Sequence, residues 1–274
     1  MTTSESQEYL INGNKDGSLS PLDRGFAYGD GIFRTLAIQD GIPQHWQQHY
    51  AKLVQDCNVL GIVCPSANVL LGDIEKLFKG CKLAVAKIVV TRGEGARGYS
   101  MPSLAQPNRV VIKSDYPKFP QSHFDHGVRL YPCKTRIGHQ PQLAGIKHLN
   151  RLENVLARAE WSDSSFADGL LLDMYENAIE CTMSNLFVRY DQTLCTPDLS
   201  RCGVAGVTRQ RLIELAPSLG YTVEVVNIPL TTLLKADEIM IANSLFGVWQ
   251  VLEIGDKQWK TQPLAAQIRK KLQE

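Results

Sequence analysis

Four short segments carry side chains whose types and spacing suit acid–base and nucleophilic chemistry. Lys147 lies in a polar segment, and its ε-amine can serve as a nucleophile or as a base. Further along the chain, Glu180 precedes a polar loop, Gly206-Val207-Thr208 opens a predicted helix, and Ser244 follows a predicted strand. The first N–H groups of a helix can bind an anion. A single lysine or glutamate is usually solvated, so only the combination of these segments indicates an active site.

The composition is that of a globular protein without a broad charged surface. The 274 residues include 29 Lys and Arg and 28 Asp and Glu, which gives a net charge of +1. Because nucleic acids and anionic lipids are bound by concentrated positive charge, neither is expected as a partner. The seven cysteines are odd in number and never form a C-x-x-C pair. This pattern argues against a disulfide framework and against a metal site.

Two further features of the sequence concern its location in the cell. Residues 1–14 lack the basic and apolar regions of an export signal. No uninterrupted apolar run approaches the ~18 residues that a membrane span needs. We therefore expect a cytoplasmic protein that has no membrane partner.

Hydrophobic periodicity predicts a mixed α and β chain whose elements must position the four segments. Helices are predicted at 46–60, 67–78, 147–161 and 206–219. Strands are predicted at 8–11, 33–38, 82–91, 127–134, 169–174, 186–190, 221–227 and 238–242, with Asp40-Gly41 as a hairpin turn. Pro117 and Pro120 break both kinds of element. The chain is therefore predicted to have a domain at 1–116, a linker at 117–123 and a second domain at 124–274.

A glycine-rich segment at 93–98 imitates a dinucleotide-binding loop. Gly93-Glu94-Gly95-Ala96-Arg97-Gly98 fits the G-x-G-x-x-G pattern and follows a predicted strand. Tyr99-Ser100-Met101-Pro102 breaks the pattern where the helix would have to begin, so the oriented amides that hold a pyrophosphate are missing. We interpret the segment as a loop at the end of a strand. The sequence also lacks the G-x-x-x-x-G-K-[ST] and H-E-x-x-H motifs.

Taken together, the segments resemble the fold-type IV pyridoxal-phosphate enzymes, a group that holds branched-chain and D-amino-acid aminotransferases and the aminodeoxychorismate lyases. The resemblance runs from 23–33 to 243–249, and segments 91–100 and 144–153 are most similar to the lyases. It implies a mixed α/β, two-domain fold of the D-amino-acid aminotransferase kind. It also implies a homodimer, a larger C-terminal domain that binds pyridoxal 5'-phosphate, and a cofactor between the domains.

The same resemblance implies roles for the residues that would hold the cofactor. Lys147 would carry pyridoxal phosphate and, once released, act as a base. Glu180 would face the pyridine nitrogen, with an ordinary surface carboxylate as the alternative. The phosphate-binding positions of the family correspond to Lys52, Val207, Thr208, Ser244 and Leu245. The family has an arginine where this chain has Lys52, and a lysine keeps the charge but loses the two-pronged hydrogen bond.

The resemblance also implies residues that would face the substrate. Thr35 matches a catalytic position beside the reactive carbon of the cofactor, and alternation along a strand predicts Phe33 on the same face. Phe33 stands where the D-amino-acid aminotransferase has a tyrosine, and phenylalanine donates no hydrogen bond. Arg97 and Tyr99 match positions that bind the substrate carboxylate, with a solvated loop arginine as the alternative for Arg97. Arg151 is assigned to the substrate as well.

The expected activity is that of a 4-amino-4-deoxychorismate lyase, which makes 4-aminobenzoate and pyruvate for folate synthesis. Two alternatives stay open at this point. One is an aminotransferase of the D-amino-acid or branched-chain type, and the other is a non-catalytic binding protein that keeps the fold.

Overall fold

A computed structural model describes residues 8–273, which form two compact units. The first unit holds the described residues up to Pro117 together with Lys147–Asn150, and the second holds Lys118–Ile146 and the residues from Arg151 onward. The predicted domains at 1–116 and 124–274 are linear stretches, whereas the first unit also takes a tetrapeptide from the later part of the chain. The expected absence of an export signal in residues 1–14 falls in part on residues 1–7, which lie outside the described residues.

The first unit is built on an antiparallel sheet of short and long strands. Its elements in chain order are β1 (Glu8–Ile11), α1 (Arg24–Tyr28), β2 (Gly31–Gln39), β3 (Ile42–Pro43), α2 (Trp46–Leu60), α3 (Ala67–Phe78), β4 (Leu83–Thr91) and β5 (Asn108–Asp115). The strands lie in the order β1-β5-β4-β2-β3. Asp40 and Gly41, the predicted hairpin turn, have φ values of 50° and 76°, as a two-residue turn with positive φ requires.

Helices α2 and α3 have the bounds that the sequence predicts, because each has a clear end signal. Gly61 ends α2 in the left-handed conformation, with φ of 63°. Ser66 caps α3, since its hydroxyl accepts a hydrogen bond from the Val69 N–H at 3.4 Å. The buried face of α2 includes Leu53, Asp56 and Cys57.

The second unit is built on a larger, mixed sheet. Its elements are α4 (Gln121–Asp125), β6 (Val128–Ile137), α5 (Leu152–Arg158), β7 (Phe166–Asp173), β8 (Asn177–Cys181), β9 (Asn185–Tyr190), β10 (Thr193–Pro197), α6 (Val207–Leu215) with a 3-10 turn (Ala216–Leu219), β11 (Thr222–Val226), β12 (Ile228–Pro229), α7 (Leu230–Leu233), β13 (Glu238–Asn243), β14 (Gly247–Ile254), β15 (Lys257–Gln258) and α8 (Leu264–Gln273). The strand order is β11-β10-β9-β13-β14-β6-β7-β8-β12.

One additional strand pairing closes part of this sheet into a barrel. Strand β8 pairs with β9 through Glu180 and Asn185, so the sequence of neighbours β9-β13-β14-β6-β7-β8 returns to its start. Trp249 and Phe187, both fully buried, are among the largest side chains of the core. Closure therefore fixes Glu180 on a rigid part of the second unit.

The predicted helix at 147–161 is wrong over much of its length. Only Leu152–Arg158 is helical, and residues Lys147–Asn150 lie beside β2 instead. The Phe33 N–H donates to the Lys147 carbonyl at 2.9 Å, and the Leu149 N–H donates to the Gly31 carbonyl at 3.0 Å. These long-range hydrogen bonds replace those of the first helical turn.

Part of the predicted linker also has regular structure, because α4 begins at Gln121 directly after Pro120. Proline is tolerated at a helix start, where its missing N–H would have no partner within the helix. Between residues 8 and 273, no helix is both long and apolar enough to cross a membrane.

Candidate functional site

In the first unit, Lys147 lies against β2. The segment 147–150 runs along this strand, with Ile32 and His148 as bridge partners. The Lys147 ammonium nitrogen lies 4.7 Å from the centroid of the Phe33 ring. Lys147 is partly buried, and its backbone is held on both sides, so its side chain extends from a fixed position. The structure thus brings together two of the residues that the sequence assigns to the site.

Strand β2 alternates as the sequence predicts. Phe33 and Thr35 are half-buried on one face, while Arg34 is buried on the other. Lys87 of β4 pairs with Thr35 in register, and its ammonium nitrogen lies 4.9 Å from the Phe33 ring centroid. Sequence reasoning missed Lys87, because the sequence of a strand does not show which residues of the neighbouring strand lie on the same face of the sheet. A second amine therefore lies beside Phe33.

Asp56 of α2 is the centre of a buried cluster of charges in the first unit. Its carboxylate is fully buried and accepts hydrogen bonds from the Arg34 guanidinium and the Lys52 ammonium. The other contact is with the backbone of Lys147, whose N–H donates to Asp56 Oδ2 at 3.2 Å. Asp56 thus connects the predicted phosphate-binding lysine with the predicted cofactor-bearing lysine.

Burial and the Asp56 carboxylate shift the pKa values of the two cations in opposite directions. Burial lowers the pKa of Lys52 and of Arg34 below their ordinary values, and the neighbouring Asp56 carboxylate acts against this effect. The Lys52 ammonium therefore forms an ion pair with Asp56, in addition to any contact that it makes with a bound anion. The sequence contained a signal for Asp56, since it follows Leu53 by three residues, a spacing that puts both on the same face of a helix.

The loop after β4 carries Arg97 and Tyr99. Both side chains are exposed, and no helix follows Gly98, in agreement with the interpretation of 93–98 as a loop at the end of a strand. The Tyr99 ring lies 5.3 Å from the Tyr28 ring of α1, measured between centroids. Their predicted role toward a carboxylate stays a prediction.

In the second unit, Glu180 is buried, which excludes a solvated surface carboxylate. Its Oε2 accepts a hydrogen bond from the Val204 N–H at 2.8 Å. Asn185, its partner across the barrel closure, donates from Nδ2 to the Val204 carbonyl at 2.7 Å. A buried carboxylate held in this way stays oriented, and a protonated ring nitrogen is a suitable partner for it.

The two predicted anion-binding turns meet in the second unit. Gly206 is the residue directly before α6 and offers no side-chain cap, and a Cβ at this position would overlap Asn185 Oδ1. Thr208 Oγ1 lies 3.2 Å from Ser244 Oγ. The first N–H groups of α6, which include those of Val207 and Thr208, are therefore close to two hydroxyls, and all of these groups can donate to a phosphate.

The Leu245 backbone and the Arg151 side chain both form hydrogen bonds with neighbouring parts of the protein. The Leu245 N–H, predicted to bind phosphate, donates to Asn243 Oδ1 at 2.9 Å, and the Phe246 N–H donates to the same oxygen at 3.0 Å. Asn243 thereby shapes the turn that follows β13. Arg151, predicted to bind substrate, donates from Nη2 to the Ile146 carbonyl at 2.7 Å.

Each unit by itself holds groups that suit a part of pyridoxal phosphate. The first offers an amine beside an aromatic ring, at Lys147 and Phe33. The second offers a buried carboxylate at Glu180 and a helix start with two hydroxyls. An aldehyde, a pyridine nitrogen and a phosphate need these three kinds of partner. The residues present are therefore of the kinds that pyridoxal phosphate needs.

Comparisons with known proteins agree with the resemblance that the motifs predict. The chain is 37% identical over 265 residues to an aminodeoxychorismate lyase from Vibrio harveyi, covering 97% of this chain and 98% of that protein. The crystal structure of 4-amino-4-deoxychorismate lyase from Pseudomonas aeruginosa matches with a TM-score of 0.91 and 43% identity, over 97% of this chain and 98% of that chain. A putative branched-chain-amino-acid aminotransferase from Methanocaldococcus jannaschii is 29% identical, over 95% of this chain and 90% of that protein.

The predicted resemblance to the fold-type IV enzymes and the predicted mixed α/β fold class are confirmed. The family described as amino-transferase class IV matches residues 31–254, which include β2, Lys147, Glu180 and both anion-binding turns. The chain therefore belongs to the amino-transferase class IV family.

Proposed function

We propose that the chain is a pyridoxal-phosphate-dependent 4-amino-4-deoxychorismate lyase that releases pyruvate and forms 4-aminobenzoate. The observation that carries this proposal is the Lys147 amine lying over the Phe33 ring. A phenylalanine cannot donate a hydrogen bond to the carboxylate of an amino acid, which disfavours an aminotransferase of the D-amino-acid type. The higher identity to a lyase than to an aminotransferase supports the same choice.

The amino-transferase class IV family depends on pyridoxal phosphate. When bound, this cofactor supplies a protonated pyridine ring that accepts electrons released at the substrate carbon. We propose that Lys147 carries it, that Glu180 keeps the ring nitrogen protonated, and that the start of α6 with Thr208 and Ser244 binds its phosphate. Lys52 is proposed to add a positive charge to the phosphate contacts.

Lys147 is also the proposed base of the reaction. Its amine removes the proton from the ring carbon that bears the substrate amine. The bond between the ring and the enolpyruvyl oxygen then breaks, and the six-membered ring becomes aromatic. The leaving group departs as enolpyruvate, which takes up a proton on its methylene carbon to become pyruvate. Thr35 lies on the same strand face as Phe33, and we propose that its hydroxyl moves a proton near the leaving group.

The substrate of this reaction is an anion, and we propose that cationic side chains and a hydroxyl orient it. Arg97 and Tyr99 are proposed to bind a carboxylate, with Arg151 as a further substrate contact. Lys87 adds an amine on the face of the sheet that holds Phe33 and Thr35. Charge-assisted hydrogen bonds from such groups both bind and align a carboxylate.

We further propose a homodimer in the cytoplasm. Several large apolar side chains are exposed in each unit, among them Phe26 at 78%, Leu104 at 91% and Leu152 at 74%. Where such side chains lie together in one patch, they often mark a subunit interface. The seven cysteines are free thiols, which suits a reducing compartment. Light scattering should give a mass near twice 30.5 kDa, and a monomer at micromolar concentration would contradict the dimer.

The test of the proposed activity uses aminodeoxychorismate with the purified, cofactor-loaded protein. We expect 4-aminobenzoate and pyruvate in equal amounts, without any amino acceptor. A parallel reaction contains D-alanine or leucine with 2-oxoglutarate. Efficient amino transfer without 4-aminobenzoate formation would replace the lyase with an aminotransferase. The absence of both activities, despite bound cofactor, would favour a non-catalytic binding protein.

A further inference from the structure

The loop that follows β4 has the composition of a mobile segment. Residues 93–100 contain three glycines, and Gly98 has φ of 100° with open space around it. Tyr99 is 84% exposed, and Arg97 is exposed as well. An exposed loop with several glycines loses much conformational freedom when it is ordered. Some other contact is therefore needed to keep Arg97 and Tyr99 in one arrangement.

Arg24 of α1 makes that contact. Its side chain is buried, and Nη1 donates to the carbonyls of Gly98 and Ser100 at 3.1 and 3.2 Å. Nη2 donates to the carbonyl of Tyr99 at 3.2 Å. One guanidinium thus binds three successive carbonyls, on the C-terminal side of Arg97.

The guanidinium is itself held in place. Nε donates to Asp30 Oδ2 at 2.8 Å, and the Arg24 backbone N–H donates to the Gly93 carbonyl at 2.9 Å. The hydroxyl of Tyr28, one turn further along α1, accepts a hydrogen bond from the Gly98 N–H at 3.3 Å. Helix α1 therefore binds both the beginning and the end of the loop.

We propose that Arg24 is a positioning residue for substrate binding, which sets the backbone of 98–100 before the substrate arrives. The proposal rests on the proposed function only for the identity of the substrate that Arg97 and Tyr99 bind. A loop that is already ordered does not have to be ordered on binding, so the affinity for the carboxylate increases. Loss of Arg24 should therefore raise KM and leave kcat nearly unchanged.

Arginine is required for this arrangement because its donors form a planar fork. Four of its N–H groups point to four different acceptors: Asp30 and the three carbonyls. A lysine has its donors on one nitrogen and cannot span these positions. The Arg24→Lys variant thus keeps the charge beside Asp30 but loses most of the contact with the loop.

Arg92 offers a matched control. It is as deeply buried as Arg24 and donates to the same Asp30 carboxylate, from Nε at 2.7 Å and from Nη2 at 3.0 Å. Its remaining contacts are with the carbonyls of Leu60 and Gly61, at the end of α2. The Arg92→Lys variant disturbs the same ion pair without touching the backbone of 98–100.

The experiment combines limited trypsin digestion with steady-state kinetics on the cofactor-loaded wild type and both variants. Trypsin can cut after Arg97, and the rate of this cut reports how often the loop opens. We expect Arg24→Lys to speed cleavage at this bond about tenfold and to raise KM by a similar factor, since about two hydrogen bonds are lost. For Arg92→Lys we expect both quantities to stay within about twofold of the wild type.

Two results would overturn the proposal. One is an unchanged cleavage rate and an unchanged KM in Arg24→Lys, which would mean that the loop needs no clamp. The other is an equal increase in both variants, which would indicate general destabilisation. If the wild type has no lyase activity, the proposed function fails, but the digestion still tests the clamp on its own.

Discussion

The two units hold their proposed site residues by different means. In the first unit, carboxylates bind buried cations and partly buried ones: the buried Asp56 binds Arg34 and Lys52, and the partly buried Asp30 binds Arg24 and Arg92. In the second unit, Glu180 accepts a backbone N–H, and a hydroxyl pair lies close to the start of α6. The first arrangement depends on balanced charge, and the second depends largely on hydrogen bonds from the backbone and from neutral side chains.

This difference has consequences for substitutions. Removal of one partner from a buried ion pair leaves an uncompensated charge, which destabilises the folded state strongly. Removal of one neutral hydrogen bond has a smaller effect. We therefore expect substitutions in the first unit to change stability as well as activity. In the second unit, conservative substitutions should change cofactor binding or turnover more than stability.

The largest effect is expected from Lys147→Ala. Loss of the proposed base should lower kcat of the lyase reaction by about 10²- to 10⁴-fold, because general acid–base catalysis contributes on this scale. The backbone contacts of Lys147 remain in this variant, so the melting temperature without cofactor should change little. Turnover within tenfold of the wild type would remove Lys147 from the reaction.

A direct comparison of the units comes from Asp56→Asn and Glu180→Gln. The first should lower the free energy of unfolding by about 3 to 5 kcal/mol, because Arg34 and Lys52 stay buried without a counter-charge. The second should lower it by less than about 1 kcal/mol, since the amide oxygen of glutamine can still accept the Val204 N–H. Urea unfolding of the cofactor-free proteins measures both. Equal losses in the two variants would contradict the comparison.

The Asp30 ion pairs predict a pH dependence of stability. Burial raises the pKa of Asp30, but the hydrogen bonds and charges of Arg92 and Arg24 outweigh this effect and keep the pKa below its ordinary value of 3.8. The unfolded state then binds more protons in acid, so this contribution is complete above about pH 4 and is lost as the pH falls through the folded-state value.

Asp30→Asn tests this dependence. Because the carboxylate is not fully buried, the variant should be about 2 kcal/mol less stable at pH 7. The difference from the wild type should decrease below pH 4, where the wild-type carboxylate becomes protonated. Urea titrations at a series of pH values measure the difference. A difference that stays constant down to pH 3 would show that the charge of Asp30 is not the cause.

The smallest effect is expected from Thr208→Ala. Its hydroxyl is one of several proposed phosphate contacts, so its loss should raise the Kd for pyridoxal phosphate about fivefold, close to 1 kcal/mol. Thr208→Ser keeps the hydroxyl and should bind as the wild type does. Spectrophotometric titration with the cofactor measures both. An alanine variant with unchanged affinity would exclude the hydroxyl from phosphate binding.

The sequence predicts the elements that are determined locally. Helices α2 and α3 have the expected bounds, because a left-handed Gly61 and the capping Ser66 lie at their ends. The helix predicted at 147–161 is shorter because Gly31 and Phe33 form hydrogen bonds with segment 147–150. Such contacts join residues more than 100 positions apart, and local periodicity contains no information about them.

The same limit applies to the site. Motif order predicts Lys147, Glu180 and the anion-binding turns through the resemblance to the family, whose model covers all of them. Lys87 and Asp56 were missed, since a lysine in a strand and an aspartate in a helix are usually solvated. Their surroundings depend on the pairing of β2 with β4 and on the packing of α2, which only the fold provides.

The most direct test of the account locates the lysine that holds the cofactor. The protein is loaded with pyridoxal phosphate, reduced with borohydride and digested, and the labelled peptide is identified by mass spectrometry. We predict a single phosphopyridoxyl group on Lys147. A label on another lysine, such as Lys52 or Lys87, or no label despite bound cofactor, would contradict the central claim.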